Sequence, residues 1–71
     1  MGAKVKPPWP HVYLVMDGRV RTDPDMLAHG HVYVVCESLH EAEDLADDYD
    51  DMAIVQAEHV AGEYRNRRIV E

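Results

Sequence analysis

Two short segments of almost the same sequence constrain the fold of this chain more than any other feature. They read HVYLVM at residues 11–16 and HVYVVC at residues 31–36. Both are rich in β-branched and aromatic residues and too short to form a stable helix, so each is predicted to be a strand. Their similarity predicts equivalent environments, as neighbours in one sheet.

An Asp-Gly pair follows the first of these predicted strands. Asp17 and Gly18 suit a type I′ hairpin turn, which requires positive φ angles at both central positions. We therefore expect residues 19–22 to form a return strand with Val20 facing inward. Residues 22–30 should form a loop, with room for one helical turn over residues 25–28.

The C-terminal part of the chain carries a second strand pattern. Residues 52–59 are predicted to form a third long strand, Ala61 and Gly62 a turn, and residues 63–70 a final strand with three arginines. A short helix over residues 57–68 is the alternative, although Gly62 in its middle disfavours it.

Between these strand patterns lies the signature of an amphipathic helix. Ser38 suits the N-cap and Glu41 the third helical position, which together form a capping box. Apolar residues then recur along one helical stripe, namely Leu39, Ala42, Leu45, Ala46 and Tyr49. The remaining positions are polar and almost all acidic, so one face of this helix should pack against the sheet.

Together these elements predict an α+β fold: a small antiparallel sheet of three to five strands with one amphipathic helix packed on one face, in the order β-β-β-α-β-β. Residues 1–10, with three prolines, should form a Pro-rich N-terminal arm, and residues 11–71 a single α+β domain. Strand alternation predicts that one set of side chains faces the helix: Val12, Leu14, Met16, Val32, Val34 and Cys36.

Charge and cysteine usage restrict the setting in which the protein acts. The net charge of −7 disfavours a general binder of nucleic acid or of anionic membranes. Cys36 is the only cysteine, and the sequence shows neither a secretory signal nor an apolar run that could span a bilayer. We expect a soluble cytoplasmic protein. Its amino-acid usage, without Phe and with more Arg than Lys, points to a bacterium or a phage.

The acidic residues are concentrated on the predicted helix. No Lys or Arg occurs from residue 23 to residue 63, whereas twelve acidic residues do. Acids near the C-terminal end of a helix are unfavourable, because the helix macrodipole is negative there. A solvated helix face is the simpler explanation. The functional one is docking on a basic partner through Glu41, Glu43, Asp44, Asp47, Asp48, Asp50 and Asp51.

The second candidate surface is the face of the sheet opposite the predicted helix. It would carry Trp9 from the arm with Tyr13, Val15, Tyr33 and Val35, and it is too apolar for a face left in water. The arm, a second copy of the chain or a partner should therefore cover it. Paired aromatics near arginines are also typical of surfaces on which single-stranded nucleic acid stacks.

The sequence offers no catalytic or cofactor-binding motif. A zinc site needs three or four converging nitrogen and sulfur ligands, and the five histidines and one cysteine show no such spacing. The acids around Asp48 lack the glycine of a calcium-binding loop. Cys36 lies on the apolar parity of its strand and is expected to be a buried structural thiol. We expect no enzyme activity, no metal and no cofactor.

The leading functional hypothesis is a small non-catalytic protein-binding module. It would act as a phage- or bacterium-encoded regulator or inhibitor, docking on a basic surface through the acidic helix, which would mimic the charge of DNA. One alternative is a structural homodimer that associates through the Tyr/Val sheet face. The other is a weak binder of single-stranded nucleic acid that uses Tyr13, Tyr33 and the arginines.

Overall fold

The computed structural model describes residues 11–70 of the chain. The predicted arm over residues 1–10, with Trp9, lies outside this range. In chain order the elements are strand β1 (His11–Asp17), a 3₁₀ helix (Gly18–Arg21), helix α1 (Pro24–His29), strand β2 (Val32–Cys36), helix α2 (Leu39–Ala46), strand β3 (Met52–Val60) and strand β4 (Glu63–Ile69).

The strands form one antiparallel sheet in the order β2-β1-β3-β4. The predicted α+β class with a small antiparallel sheet and an amphipathic helix is confirmed. The two similar segments are neighbours, with Tyr13 opposite Cys36 and Val15 opposite Val34. The element order differs from the prediction, because a 3₁₀ helix stands where the second strand was expected, and the helical turn allowed over residues 25–28 is present as α1.

The predicted hairpin at Asp17 and Gly18 is wrong. The φ angle of Asp17 is −58°, and its carboxylate accepts a hydrogen bond of 2.9 Å from the backbone N–H of Arg19, which caps the 3₁₀ helix. Gly18 is required for space: a Cβ there would lie 2.7 Å from the carbonyl oxygen of Asp51. The Asp-Gly pair therefore begins a helical turn that leaves the sheet.

The predicted turn between the last two strands is confirmed. Ala61 and Gly62 have φ angles of 53° and 79°, which is the double positive φ of a type I′ turn, and Val60 pairs with Glu63 across it. The alternative helix over residues 57–68 is therefore wrong.

Two hydrophobic clusters fill the opposite faces of the sheet. The first core lies beneath the 3₁₀ helix and α1, with Met26 and Leu27 packed against it. Its buried residues are Val12, Leu14, Met16, Val20, Ala53, Val55 and Ala57. The second core lies beneath α2 and contains Val15, Cys36, Ala42 and Ile54.

The predicted assignment of side chains to the two faces is therefore partly wrong. Val12, Leu14 and Met16 face the 3₁₀ helix and α1, whereas α2 covers the opposite side of β1. A register shift between Val15 and Met16 leaves one extra residue in β2. Because of this bulge, Val32 packs against the first core while Val34 and Cys36 belong to the second.

Candidate protein-docking surface

Helix α2 is held on the sheet by a short apolar side. Its N-terminus is capped by Ser38, whose hydroxyl accepts a hydrogen bond of 3.1 Å from the backbone N–H of Glu41. Ala42 is fully buried in the second core, and Leu45 and Ala46 are half-buried against it. The predicted stripe is thus confirmed at its centre, whereas Leu39 and Tyr49 at its ends are exposed.

The acidic residues of the predicted docking surface lie on the outward side of α2 and in the segment that follows it. All are exposed except the half-buried Glu43. Within residues 11–70, ion pairs join only two of them to a basic side chain, Asp44 to His40 at 3.5 Å and Asp51 to Arg21 at 3.4 Å. We call this the acidic surface; it comprises Glu41, Glu43, Asp44, Asp47, Asp48, Asp50 and Asp51.

A cleft of about 310 Å³ opens within this surface, between the C-terminal part of α2 and the start of β3. Glu43 and Asp47 line one side, and Tyr49, 53% exposed, stands at its border. Arg21 reaches it from the 3₁₀ helix and donates a hydrogen bond of 2.7 Å to the carbonyl oxygen of Met52. Arg21 pairs with Asp51 in this cleft, whereas Glu43 and Asp47 have no ion pair within residues 11–70. Their carboxylates, beside the exposed ring of Tyr49, form an environment suited to a further cationic side chain.

The sequence alone could not reveal this cleft. Arg21 and Asp51 are thirty residues apart, and they meet because the 3₁₀ helix leaves β1 toward the start of β3. The backbone N–H of Gly18 also donates a hydrogen bond of 2.8 Å to the carbonyl oxygen of Asp51, which holds the 3₁₀ helix beside the start of β3. The predicted return strand would have directed Arg21 elsewhere.

The predicted Tyr/Val sheet face does not form one surface. Tyr13 and Val15 pack in or against the second core beneath α2. Val35 pairs with Leu14 and so projects to the opposite face, and it is exposed at the edge of the sheet with Tyr33. Trp9 lies outside the described residues. The two tyrosines proposed to stack nucleic-acid bases therefore do not lie side by side.

The arginines of β4 are engaged within the chain. Arg65 pairs with Glu63 at 3.1 Å, and Arg68 donates a hydrogen bond of 3.2 Å to Gln56. Arg67 crosses to the end of α1 and donates to the carbonyl oxygens of Leu27 and Gly30 at 3.2 and 3.3 Å. The contacts of Arg67 and Arg68 join the edge strand to α1 and β3, whereas the pair of Arg65 and Glu63 lies within β4.

A second cleft, of about 280 Å³, was not foreseen from the sequence. It lies between β1, β3 and β4 and is lined by His11, Gln56, Ala57, Glu58, Asn66 and Arg68. Its polar groups contact one another, since Asn66 donates a hydrogen bond of 2.8 Å to Glu58 and Arg68 donates to Gln56. These internal contacts occupy groups that a ligand would need.

Cys36 is buried in the second core, as expected for a structural thiol. Burial, followed by the nearby charge of Glu41, raises the pKa of this thiol above its ordinary value. A protonated, inaccessible thiol is a poor nucleophile. Among residues 11–70, no three His, Cys, Asp or Glu side chains come together as a metal-binding group.

No protein-family model, curated protein or solved structure matches this chain. Within residues 11–70, no helix is both long enough and apolar enough to cross a membrane.

Proposed function

We propose that this chain is a non-catalytic protein-binding module that docks on a basic partner through its acidic surface. The observation that carries the proposal is the near absence of internal ion pairs there: five of its seven acids have none within residues 11–70. Carboxylates left in water can pair with an incoming basic surface with little loss of internal contacts.

The acidic cleft supplies the specific part of this docking surface. A Lys or Arg side chain of the partner would enter between Glu43 and Asp47 and lie against the ring of Tyr49. Because charges on a rim mainly steer association, the surrounding acids would speed binding and make it sensitive to salt. A regulator or inhibitor that covers a basic, nucleic-acid-binding surface would work in this way.

The decisive experiment removes charge from the acidic surface without disturbing its internal contacts. The variant E43Q/D47N/D48N neutralises three acids that have no ion pair within residues 11–70. The matched control D25N/E58Q/E63Q neutralises three acids elsewhere, so both variants lose the same net charge. Binding of an Arg/Lys-rich peptide, and of the basic protein captured from a lysate of the source organism, is measured by titration.

We expect the acidic-surface variant to bind about tenfold more weakly than the wild type, because each exposed ion pair contributes about 0.5 kcal/mol. The control should stay close to the wild type, and binding should weaken as salt rises. Equal losses in the two variants would mean that only total charge matters and would contradict the proposed site. Undiminished binding by both would contradict the acidic surface altogether.

A further inference from the structure

Strand β2 is an exposed edge of the sheet. One side pairs with β1, and within residues 11–70 no strand pairs with its other side. Its sequence, VYVVC, contains no charged residue and no proline. Edge strands in soluble proteins usually carry such groups, because an unprotected edge is a template for pairing with another chain.

The opposite edge of the sheet, β4, has the protection that β2 lacks. It carries three arginines, and Asn66 adopts a positive φ of 55° in a bulge. There, Asn66 and Arg67 oppose the single residue Ala57, because the register shifts between Gln56 and Glu58. Both edge strands contain a bulge, at Tyr33 in β2 and at Asn66 in β4, so the charged side chains of β4 are what distinguish the two edges.

Apolar side chains are exposed along the unprotected edge. Tyr33 is 52% and Val35 43% exposed, and the His31 ring meets the Tyr33 ring edge-to-face at 4.8 Å. Among residues 11–70, nothing pairs with the outer backbone edge of this strand, and its apolar side chains are exposed. A strand added there would form hydrogen bonds with the backbone edge and would also cover the apolar side chains.

We propose that a second copy of the chain pairs with the β2 edge, antiparallel, around a two-fold axis at Val35. The axis follows from the register of β2. The bulge at Tyr33 interrupts the strand, so its regular part is the run from Val34 to Cys36, and Val35 is the middle of that run. Two-fold pairing there places Val35 directly opposite its copy and Val34 opposite Cys36 of the second copy.

The charges at the two ends of β2 complement one another in this arrangement. Antiparallel pairing about Val35 places Glu37 of the second copy opposite Tyr33. Met16 pairs with Val32, so Asp17 and the exposed Arg19 side chain that bonds to it lie near the Tyr33 end of β2. Each Glu37 therefore approaches an exposed arginine of the other copy, once on each side of the axis.

This pairing would produce a continuous eight-stranded sheet. Adjacent antiparallel strands are related by a two-fold axis perpendicular to the sheet, so both copies of α2 would lie on the same side. The dimer would then present two acidic surfaces in one direction. This inference is independent of the proposed function, since the acidic surface and the β2 edge share no residue.

The test compares the same substitution at the two edges of the sheet. Val35 and Ile69 are similar apolar residues of similar exposure, 43% and 37%, on β2 and β4. Wild type, V35K and I69K are studied by sedimentation velocity over a wide concentration range, in salt that screens the repulsion between copies of net charge −7. Circular dichroism verifies that each variant is folded.

We expect the wild type and I69K to dimerise from the 8.1 kDa monomer. V35K should dimerise at least about tenfold more weakly, because it places two ammonium groups directly opposite across the axis. A wild type that stays monomeric throughout would overturn the proposal, and so would equal dimerisation of V35K and the wild type.

A second measurement tests the register and does not depend on the lysine variants. In the proposed dimer the V35C thiols lie opposite one another, within the Cα separation of about 4.4–6.8 Å that a disulfide needs. V35C should therefore form a covalent dimer under mild oxidation, whereas I69C should not. Equal cross-linking of the two variants would contradict pairing at β2.

Discussion

The two faces of the sheet are closed by different kinds of segment. Helix α2 has a clear amphipathic pattern and a cap, yet its second core contains four buried residues. The segment made of the 3₁₀ helix and α1 has no comparable pattern, yet the first core beneath it contains seven. Regular patterning and depth of burial are therefore separate properties in this small domain.

The difference has a physical origin. Helix α2 packs closely through the small Ala42, which leaves most of its surface in water for acidic residues. In the segment of the 3₁₀ helix and α1, Val20 is buried in the first core, and Met26 and Leu27 pack against that core. We therefore expect the face covered by the 3₁₀ helix and α1 to contribute more to stability, whereas the face covered by α2 carries the candidate docking surface.

Cavity-creating substitutions on the two faces should show the largest difference in stability between them. A domain of this length has a total stability of about 4–10 kcal/mol. Leu14→Ala in the fully buried first core should cost about 3–5 kcal/mol and leave the protein close to unfolding. Ile54→Ala in the second core should cost about 2–3 kcal/mol, because Ile54 borders the acidic cleft, where the structure can relax.

Urea denaturation of the two variants measures both losses. If Ile54→Ala proved as costly as Leu14→Ala, the two faces would contribute equally, and the unequal depth of the two cores would carry no energetic meaning.

A matched pair of glycine substitutions tests whether the 3₁₀ helix requires a glycine at its first residue. Gly18→Asn should destabilise the protein by about 1–3 kcal/mol, because a side chain would meet the carbonyl oxygen of Asp51 at the base of the 3₁₀ helix. Gly62→Asn should cost less than about 1 kcal/mol, since asparagine tolerates positive φ and no atom lies within 4 Å of the added Cβ.

Thermal denaturation of both variants distinguishes the two roles of glycine. In a type I′ turn at Asp17 and Gly18, asparagine would be accepted at either position. Equal tolerance at both sites would therefore favour that turn over the 3₁₀ helix.

The sequence predicted the elements whose residues obey one dominant rule. Alternation and β-branching identified β1 and β2, the Ser38 cap and the apolar stripe identified α2, and the turn-forming pair Ala61 and Gly62 identified the final hairpin. Prediction failed where a residue pair can obey two rules. Asp17 and Gly18 suit a type I′ turn, but they equally suit an N-cap residue followed by a glycine that another part of the backbone approaches closely. The second structure depends on a contact with Asp51, which is distant in the sequence.

Some features of the candidate surfaces could be predicted from the sequence and others could not. The outward acids of α2 could be predicted, because helical spacing places them opposite Ala42. The separation of Tyr13 from Tyr33 could not, because it depends on the strand register, which places Tyr13 opposite Cys36 and leaves Tyr33 as the extra residue between Val32 and Val34. The cleft beside Glu43 could not be predicted either, since its walls come from three separate parts of the chain.

The smallest effects should come from the caps of the two covering segments, and pH should separate them. Ser38→Ala removes the hydroxyl that caps α2 and should cost about 0.5–2 kcal/mol at neutral and at acidic pH alike.

Asp17→Ala removes a carboxylate whose pKa is lowered below 3.8, first by the backbone N–H of Arg19 and then by the Arg19 side chain. A lowered pKa means that the ionised form stabilises the folded state, fully above pH 3.8 and progressively less as the pH falls through the lowered value. Asp17→Ala should therefore be less stable than the wild type at neutral pH, and the difference should shrink below pH 3.8, as urea denaturation at both pH values would measure. A pH-independent loss in Asp17→Ala would show that its backbone cap does not depend on charge, and the two caps would then be alike.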